Sequence, residues 1–191
     1  MNNMKAIDVL HRNVADLQAL LDVTIGLSPQ IEAAAGKITK TLLSGGTLLA
    51  CGNGGSSAEA SHLTSEFVCR YKKDRRPYPA ICLSAHGGDL TAIGNDYVFD
   101  DIFARQVHAF GHPGDILIVF TTSGRSENVR RALVAAKERK LVTIAFLGKD
   151  GGLCAGLADI ELLIQSAITA RIQEMHQLLF HTICELAEEQ L

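Results

Sequence analysis

The first forty-odd positions repeat apolar residues at helical intervals. Ile7, Leu10, Val14, Leu17 and Leu21 step by three and four, which places them on one stripe of a helix. Ser28-Pro29 reads as an N-cap followed by proline in the first helical position. Ile31, Ala34, Ala35, Ile38 and Leu42 carry a second helix to Gly45-Gly46, where glycine ends it. Residues 1–45 are thus predicted to form a helical hairpin that packs on the core and takes part in an oligomer interface. After Gly46 the period changes. Positions 47–51, 79–83, 116–120, 142–147 and 160–164 are short apolar runs. Strands apolar on both faces and separated by helix-length segments belong to a parallel sheet covered on each side. Positions 128–140 supply a crossover helix. Positions 169–190 form a last helix, with Ile172, Met175, Leu179, Ile183 and Leu186 at helical spacing. No repeat or linker interrupts the pattern, so 1–191 is predicted to be a single doubly wound α/β domain with five parallel strands.

Composition narrows the functional classes. With 47% hydrophobic and 20% charged residues in 191, the chain is that of an ordinary folded protein. A net charge of -3 gives no general reason to bind nucleic acid or an anionic membrane, and no run approaches the ~20 apolar residues of a membrane span. The basic cluster at 70–76 reads as a solvated helix end and turn before it reads as a contact for phosphate or a partner. The cysteines Cys51, Cys69, Cys82, Cys154 and Cys184 are odd in number and show no CxxC spacing, so neither a disulfide framework nor a zinc cluster of cysteines is indicated. Cys51, Cys82 and Cys184 lie in apolar runs, where a free thiol behaves as a small core residue. Together with an N-terminus that lacks a signal-type apolar region, this predicts a cytoplasmic protein.

Candidate chemistry concentrates in two loops that follow strands and open helices. In an open parallel sheet, ligands bind beyond the carboxyl ends of the strands. Gly52-Asn53-Gly54-Gly55-Ser56-Ser57 lets backbone approach an anion closely beside a helix N-terminus. Thr121-Thr122-Ser123-Gly124-Arg125-Ser126 sets four hydroxyls around one glycine, a cradle for a phosphate monoester whose oxygens only accept hydrogen bonds. Neither loop has GK[ST] or GxGxxG spacing, so a small phosphorylated metabolite is favoured over ATP or NAD. His62 and Glu66, four apart on the helix after the first loop, share one face and could ligate a divalent metal or act as acid and base. The last helix carries a second polar set, Gln173, His176, Gln177 and His181, which alone carries no signal.

Taken in order, Gly52-Asn53-Gly54-Gly55-Ser56, His62 with Glu66, Gly94-Asn95-Asp96, Thr122-Ser123-Gly124 with Ser126, Gly148-Lys149-Asp150-Gly151-Gly152, and Arg171-Ile172-Gln173-Glu174 with His181 resemble the phosphoheptose isomerases, a family of SIS-domain enzymes. The resemblance runs from about Leu42 to the end. It implies the SIS fold, a homotetramer, one zinc ion per subunit, and conversion of sedoheptulose 7-phosphate to D-glycero-D-manno-heptose 7-phosphate for nucleotide-activated heptose. It implies His62, Glu66, Gln173 and His181 as metal ligands. Substrate would be held by Asn53, Gly54, Gly55, Ser56, Glu66, Asn95, Asp96, Thr121, Thr122, Ser123, Ser126 and Gln173. Glu66 and His181 are the expected acid/base pair. Arg125 stands where the resemblance leads one to expect an uncharged residue, and Thr121 where it leads one to expect serine.

One geometric tension accompanies this assignment. Gln173 and His181 are eight residues apart, so a straight helix separates their backbones by roughly 12 Å and their directions by roughly 80°. A helix distorted near Gln173, or ligands from more than one subunit, is the expected resolution. The rival functional reading is a non-catalytic SIS protein that binds the DnaA replication initiator. It shares a tail like Ala170-Arg171-Ile172-Gln173-Glu174-Met175-His176 but lacks the full set His62, Glu66 and His181, whose presence here favours the enzyme.

Overall fold

The computed structural model describes residues 5–191. Five strands, β1 (Leu48–Gly52), β2 (Ala80–Cys82), β3 (Ile116–Thr121), β4 (Val142–Gly148) and β5 (Ile160–Ile164), form one sheet in the order β2-β1-β3-β4-β5. Every pairing is parallel, with Leu48 opposite both Ala80 and Ile116. Seven helices surround it: α1 (Ala6–Ile25), α2 (Ser28–Leu43), α3 (Gly55–Val68), α4 (Gly87–Asp96), α5 (Ile102–Phe110), α6 (Glu127–Glu138) and α7 (Thr169–Glu188). β1, β3 and most of β4 are buried on both faces, as their unbroken apolar runs predict. Alternate residues feed two cores. Leu48, Ala50, Ile118 and Phe120 join α2, α3 and α7 on one side, while Leu49, Cys51, Leu117 and Val119 join α5 and α6 on the other.

The predicted elements stand, with two differences at the first helices. Ser28 lies inside α2 instead of capping it, because the Ile31 N–H already bonds the Leu27 carbonyl. The apolar stripe of α1 is the larger surprise. Ile7, Leu10, Val14 and Leu21 are 52%, 57%, 44% and 37% exposed, so most of the stripe faces away from this chain's own core. What holds α1 is one edge of the stripe and the flank beside it. Leu17 and Leu20 pack on the core, and the nearly buried Arg171 guanidinium donates to the Asn13 carbonyl at 2.8 Å.

Helices α4 and α5 have no counterpart in the sequence reading. α4 contains two adjacent glycines and fully buries no residue, offering the core only Leu90 and Ile93. α5 buries only one short face through Ile102, Phe103, Gln106 and Val107. All five cysteines are free, and only Cys69 is exposed. Among the described residues no helix is long and apolar enough to cross a membrane.

The basic segment at 70–76 is built into the fold more than its charge suggested. The Glu188 carboxylate, at the end of α7, accepts the backbone N–H groups of Tyr71, Lys72 and Lys73 at 2.9, 2.8 and 2.9 Å. Arg75 is buried; its guanidinium lies 3.5 Å from the same carboxylate and donates to the carbonyls of Glu66 and Phe67. One carboxylate therefore ties the end of α7 to the end of α3. Burial alone would raise the Glu188 carboxyl, but the backbone donors and Arg75 outweigh it and hold the group below the usual carboxylate range.

Glu188→Ala should leave three part-buried backbone donors without their acceptor and the Arg75 side chain without its counter-charge, and destabilise the protein by about 1–3 kcal/mol in urea unfolding. Because the folded carboxyl is depressed, its contribution is complete above the unfolded value of about 4.3 and is lost as pH falls through the lower folded value. Wild type and variant should therefore converge in stability on acidification, and a constant gap between them down to strongly acidic pH would contradict this account.

Candidate active site

β1 and β3 are neighbours although β2 lies between them in sequence, so connections leave them toward opposite faces and a crevice opens at their carboxyl ends. The two loops singled out by sequence meet there. Asn53, Ser56, Phe120, Thr121, Thr122, Ser123 and Ser126 line a cavity of about 150 Å³. α3 and α6 both begin at this cavity, adding the positive ends of two helix dipoles. Part of the hydroxyl set also shapes the loop itself. Thr121 accepts the Gly124 N–H at 3.1 Å and Ser123 accepts that of Arg125 at 3.2 Å. Gly124 has φ +64, and a Cβ there would run into the backbone of Gly151 and Gly152, so this loop packs on the next one without room for a side chain. Arg125 turns outward and pairs with Asp150 at 3.1 Å.

Along α3, Gly55, Glu59, His62 and Glu66 follow at intervals of three and four and face α7. Between the helices lies a second cavity of about 340 Å³ lined by Gly55, Ala58, Glu59, His62, Ala170, Gln173, Glu174 and Gln177. Deeper along the same seam, His62 Nε2 is 2.9 Å from Glu66 Oε1 and 3.4 Å from His181 Nε2. These three ligand atoms lie within 4.8 Å of one another. Burial, helped by the His62 imidazole and opposed by Glu66, lowers the His181 pKa, leaving the neutral ring that ligates metals. Tyr71, held by the Glu188 anchor, lies against His181 with ring centres 5.6 Å apart.

The donor set fits zinc. Two imidazole nitrogens and a carboxylate are ordinary zinc ligands, and with bonds of about 2.0–2.1 Å a tetrahedron has edges of about 3.3 Å. Separations of 2.9 and 3.4 Å bracket that edge. Two imidazole nitrogens facing each other also leave a lone pair against either a lone pair or a single shared proton, and a cation between them would satisfy both.

Gln173 is placed differently from the expected distortion. α7 runs unbroken from Thr169 to Glu188, and Gln173 lies one cavity away from His181, against Gly55, where a Cβ would strike its amide. His62 connects the two, lining the Gln173 cavity on one side and meeting His181 on the other. Gly54 supplies the turn into α3 with φ +57. Asn95 and Asp96 are not brought in. They end the exposed helix α4, hydrogen-bond to each other at 2.8 Å, and line neither cavity.

Three polar residues here were not read as functional in the sequence. Asn128 pairs with Asn53 across the two loops. Glu59 and His176 are buried between α3 and α7. His176 Nε2 meets the Leu147 carbonyl at 3.1 Å and Nδ1 faces Glu59 Oε1 at 3.7 Å. Both Glu59 oxygens and that Nδ1 otherwise lack partners among the described residues. The available signal was spacing, since Glu59 precedes His62 by three and His176 follows Gln173 by three.

Comparison with known proteins identifies the family. The SIS-domain family matches residues 14–148. A phosphoheptose isomerase of Methylococcus capsulatus is 45% identical over 180 residues, covering 93% of this chain and 92% of its own length. The chain belongs to the SIS-domain phosphoheptose isomerase family. Solved structures of phosphoheptose isomerases from Neisseria gonorrhoeae and Francisella tularensis superpose with TM-scores of 0.91 and 0.89, at 36% and 37% identity, each covering 97% of this chain and 100% of the other. The rival reading as a non-catalytic SIS protein gives way to membership of this family of enzymes, and the three side chains it lacks converge here.

Zinc added to metal-free protein should bind at about one ion per chain. His62→Ala and His181→Gln should each weaken it at least ~10-fold in competition with a chelator while the circular dichroism stays native. Unchanged zinc affinity in both variants would remove this cluster as the metal site.

Proposed function

We propose that this sugar-phosphate isomerase interconverts sedoheptulose 7-phosphate and D-glycero-D-manno-heptose 7-phosphate through an enediol, supplying heptose phosphate for nucleotide activation in the cytoplasm. The observation that carries the reading is the convergence of His62, Glu66 and His181 within 4.8 Å, on a helix pair of which one member, α3, begins at the hydroxyl-lined cavity. In this reading Ser56, Thr121, Thr122, Ser123 and Ser126, with Asn53 and the backbone at Gly54 and Gly55, hold the phosphate, while Gln173 and Glu66 contact the sugar.

Length supports a seven-carbon substrate. From Ser56 to His62 the helix advances roughly 9 Å, and to Glu66 roughly 15 Å. An extended heptulose 7-phosphate spans about 10 Å from phosphorus to C1 at the advance per bond of an extended chain. With its phosphate at the loops, such a sugar brings C1 and C2 level with His62, whose ring lies 2.9 Å from the Glu66 carboxylate, whereas a five-carbon ester ends about 2.5 Å earlier.

The chemistry moves two hydrogens. A base takes the C1 proton of the ketose as O2 gains one, giving the enediol; O1 then loses its proton as C2 receives one. Glu66 and His181 are the groups placed to exchange these protons. Glu66 directs Oε1 toward His62, which leaves its second oxygen able to accept a proton, and His181 is a neutral imidazole able to take or return one. Zinc, held by His62, Glu66 and His181 with Gln173 nearby, would stabilise the negative charge developing on the enediol oxygens.

A homotetramer belongs to the same reading. It is supported by the exposed apolar stripe of α1 and by the position of Asn95 and Asp96 at the surface, where they would meet a sugar held by a neighbouring subunit.

Two experiments test the reading. Glu66→Gln and His181→Gln should remain folded and lose about 10²–10⁴-fold in kcat on sedoheptulose 7-phosphate; near-wild-type rates in both would refute the acid/base pair. A five-carbon ketose 5-phosphate should be isomerised at least ~100-fold less efficiently, and equal kcat/KM for the two sugars would remove the length argument.

A further inference from the structure

Asn128 is the second residue of α6, is only 2% exposed, and lines neither cavity, yet it is bonded to a residue that does. Its Oδ1 accepts the Val129 backbone N–H at 2.9 Å and the Asn53 Nδ2 at 2.9 Å; its Nδ2 donates to Asn53 Oδ1 at 3.0 Å. A backbone amide can only donate, so the atom facing Val129 must be the Asn128 oxygen. The Asn128 amide nitrogen is then turned toward Asn53, and only an acceptor can meet it there. Asn53 must therefore present its oxygen to Asn128, together with one of its two N–H groups. What remains for the neighbouring cavity is the second N–H.

This matters because the amide of asparagine is nearly symmetric in shape and opposite in polarity at its two ends. Phosphate oxygens only accept hydrogen bonds. An Asn53 free to turn over would offer the anion a carbonyl lone pair half the time. We propose that Asn128 is a positioning residue for the phosphate site, passing the polarity of the α6 backbone to Asn53 so that Asn53 keeps a donor free for the anion. The same pair joins the loop after β1 to the loop after β3, so both halves of the cradle hold one spacing. This role rests on the assignment of the cavity at 53–56 and 121–126 as the phosphate site.

The test is a double-mutant cycle with Asn53→Ala and Asn128→Ala, reading the inhibition constant of inorganic phosphate and the KM and kcat for sedoheptulose 7-phosphate. Each single variant should weaken phosphate about tenfold, the size of one hydrogen bond to a charged group. The loss should appear in KM, with kcat changed less than about threefold. If Asn128 acts through Asn53, the double variant should be no weaker than the singles. Losses that multiply toward about a hundredfold would overturn the proposal, because Asn128 would then act independently. Asn128→Thr separates the role from simple capping of α6, since its hydroxyl can still accept the Val129 N–H but does not reach Asn53. It should recover thermal stability and leave phosphate binding as weak as in Asn128→Ala; recovery of binding would overturn the proposal. Wild type that binds phosphate while Asn128→Ala binds it equally well defeats the Asn128 role alone. Wild type indifferent to phosphate defeats the site assignment and the Asn128 role with it.

Discussion

A parallel strand buried on both faces has no place for polar groups except at its ends. β1 and β3 obey this constraint, with their apolar side chains inside a core, so the first positions free to be polar are Thr121, which ends β3, and those immediately beyond Gly52. Sheet order then decides what those loops can do. Because β3 inserts beside β1 and β2 is displaced to the outside, the two loops face each other across the crevice, and two helix N-termini point at one cavity. A hydroxyl-lined cavity suited to an anion follows at this edge from burial and topology together.

The second requirement is that α3 and α7 lie side by side, since the cluster divides its ligands between them: His62 and Glu66 on one, His181 on the other. Three kinds of contact hold this pair. Apolar packing of Ala60, Leu63 and Phe67 with Ile172, Met175, Leu179 and Phe180 supplies the bulk. The buried pair Glu59 and His176 spans the seam near its open end. At the far end the Glu188 carboxylate gathers the backbone of 71–73 and Arg75, whose guanidinium caps the last carbonyls of α3. That anchor also sets Tyr71 against His181, so one carboxylate ties two helix ends together and places an aromatic ring beside the cluster.

The two cavities divide the work. Loop hydroxyls and backbone N–H groups at one end suit an anion that never changes charge. The histidine–carboxylate seam at the other suits a carbon skeleton on which charge appears and disappears. α3 joins them as a rigid spacer: Ser56 lies in its first turn and Glu66 in its last, so the distance between the hydroxyl-lined cavity and the histidine–carboxylate cluster is set by a helix.

Much of this was legible in the residues. Periods of three to four and unbroken apolar runs report which faces are buried, and burial is a property each segment expresses by itself. The two loops were legible for the same reason, since glycine and hydroxyl clusters after a buried strand have a local meaning. His62 with Glu66 shared a face by spacing alone. Strand order, the meeting of α3 with α7, and the reciprocal amides of Asn53 and Asn128 depend on partners dozens of residues apart, which no local pattern encodes. The exposed stripe of α1 makes the same point in reverse: amphipathicity shows that a face needs covering, and only the packed structure shows that this chain's own core does not cover it. Glu59, Asn128 and His176 went unread because a polar residue on a helix looks alike whether it meets solvent or a buried partner, and that difference is made by tertiary contact.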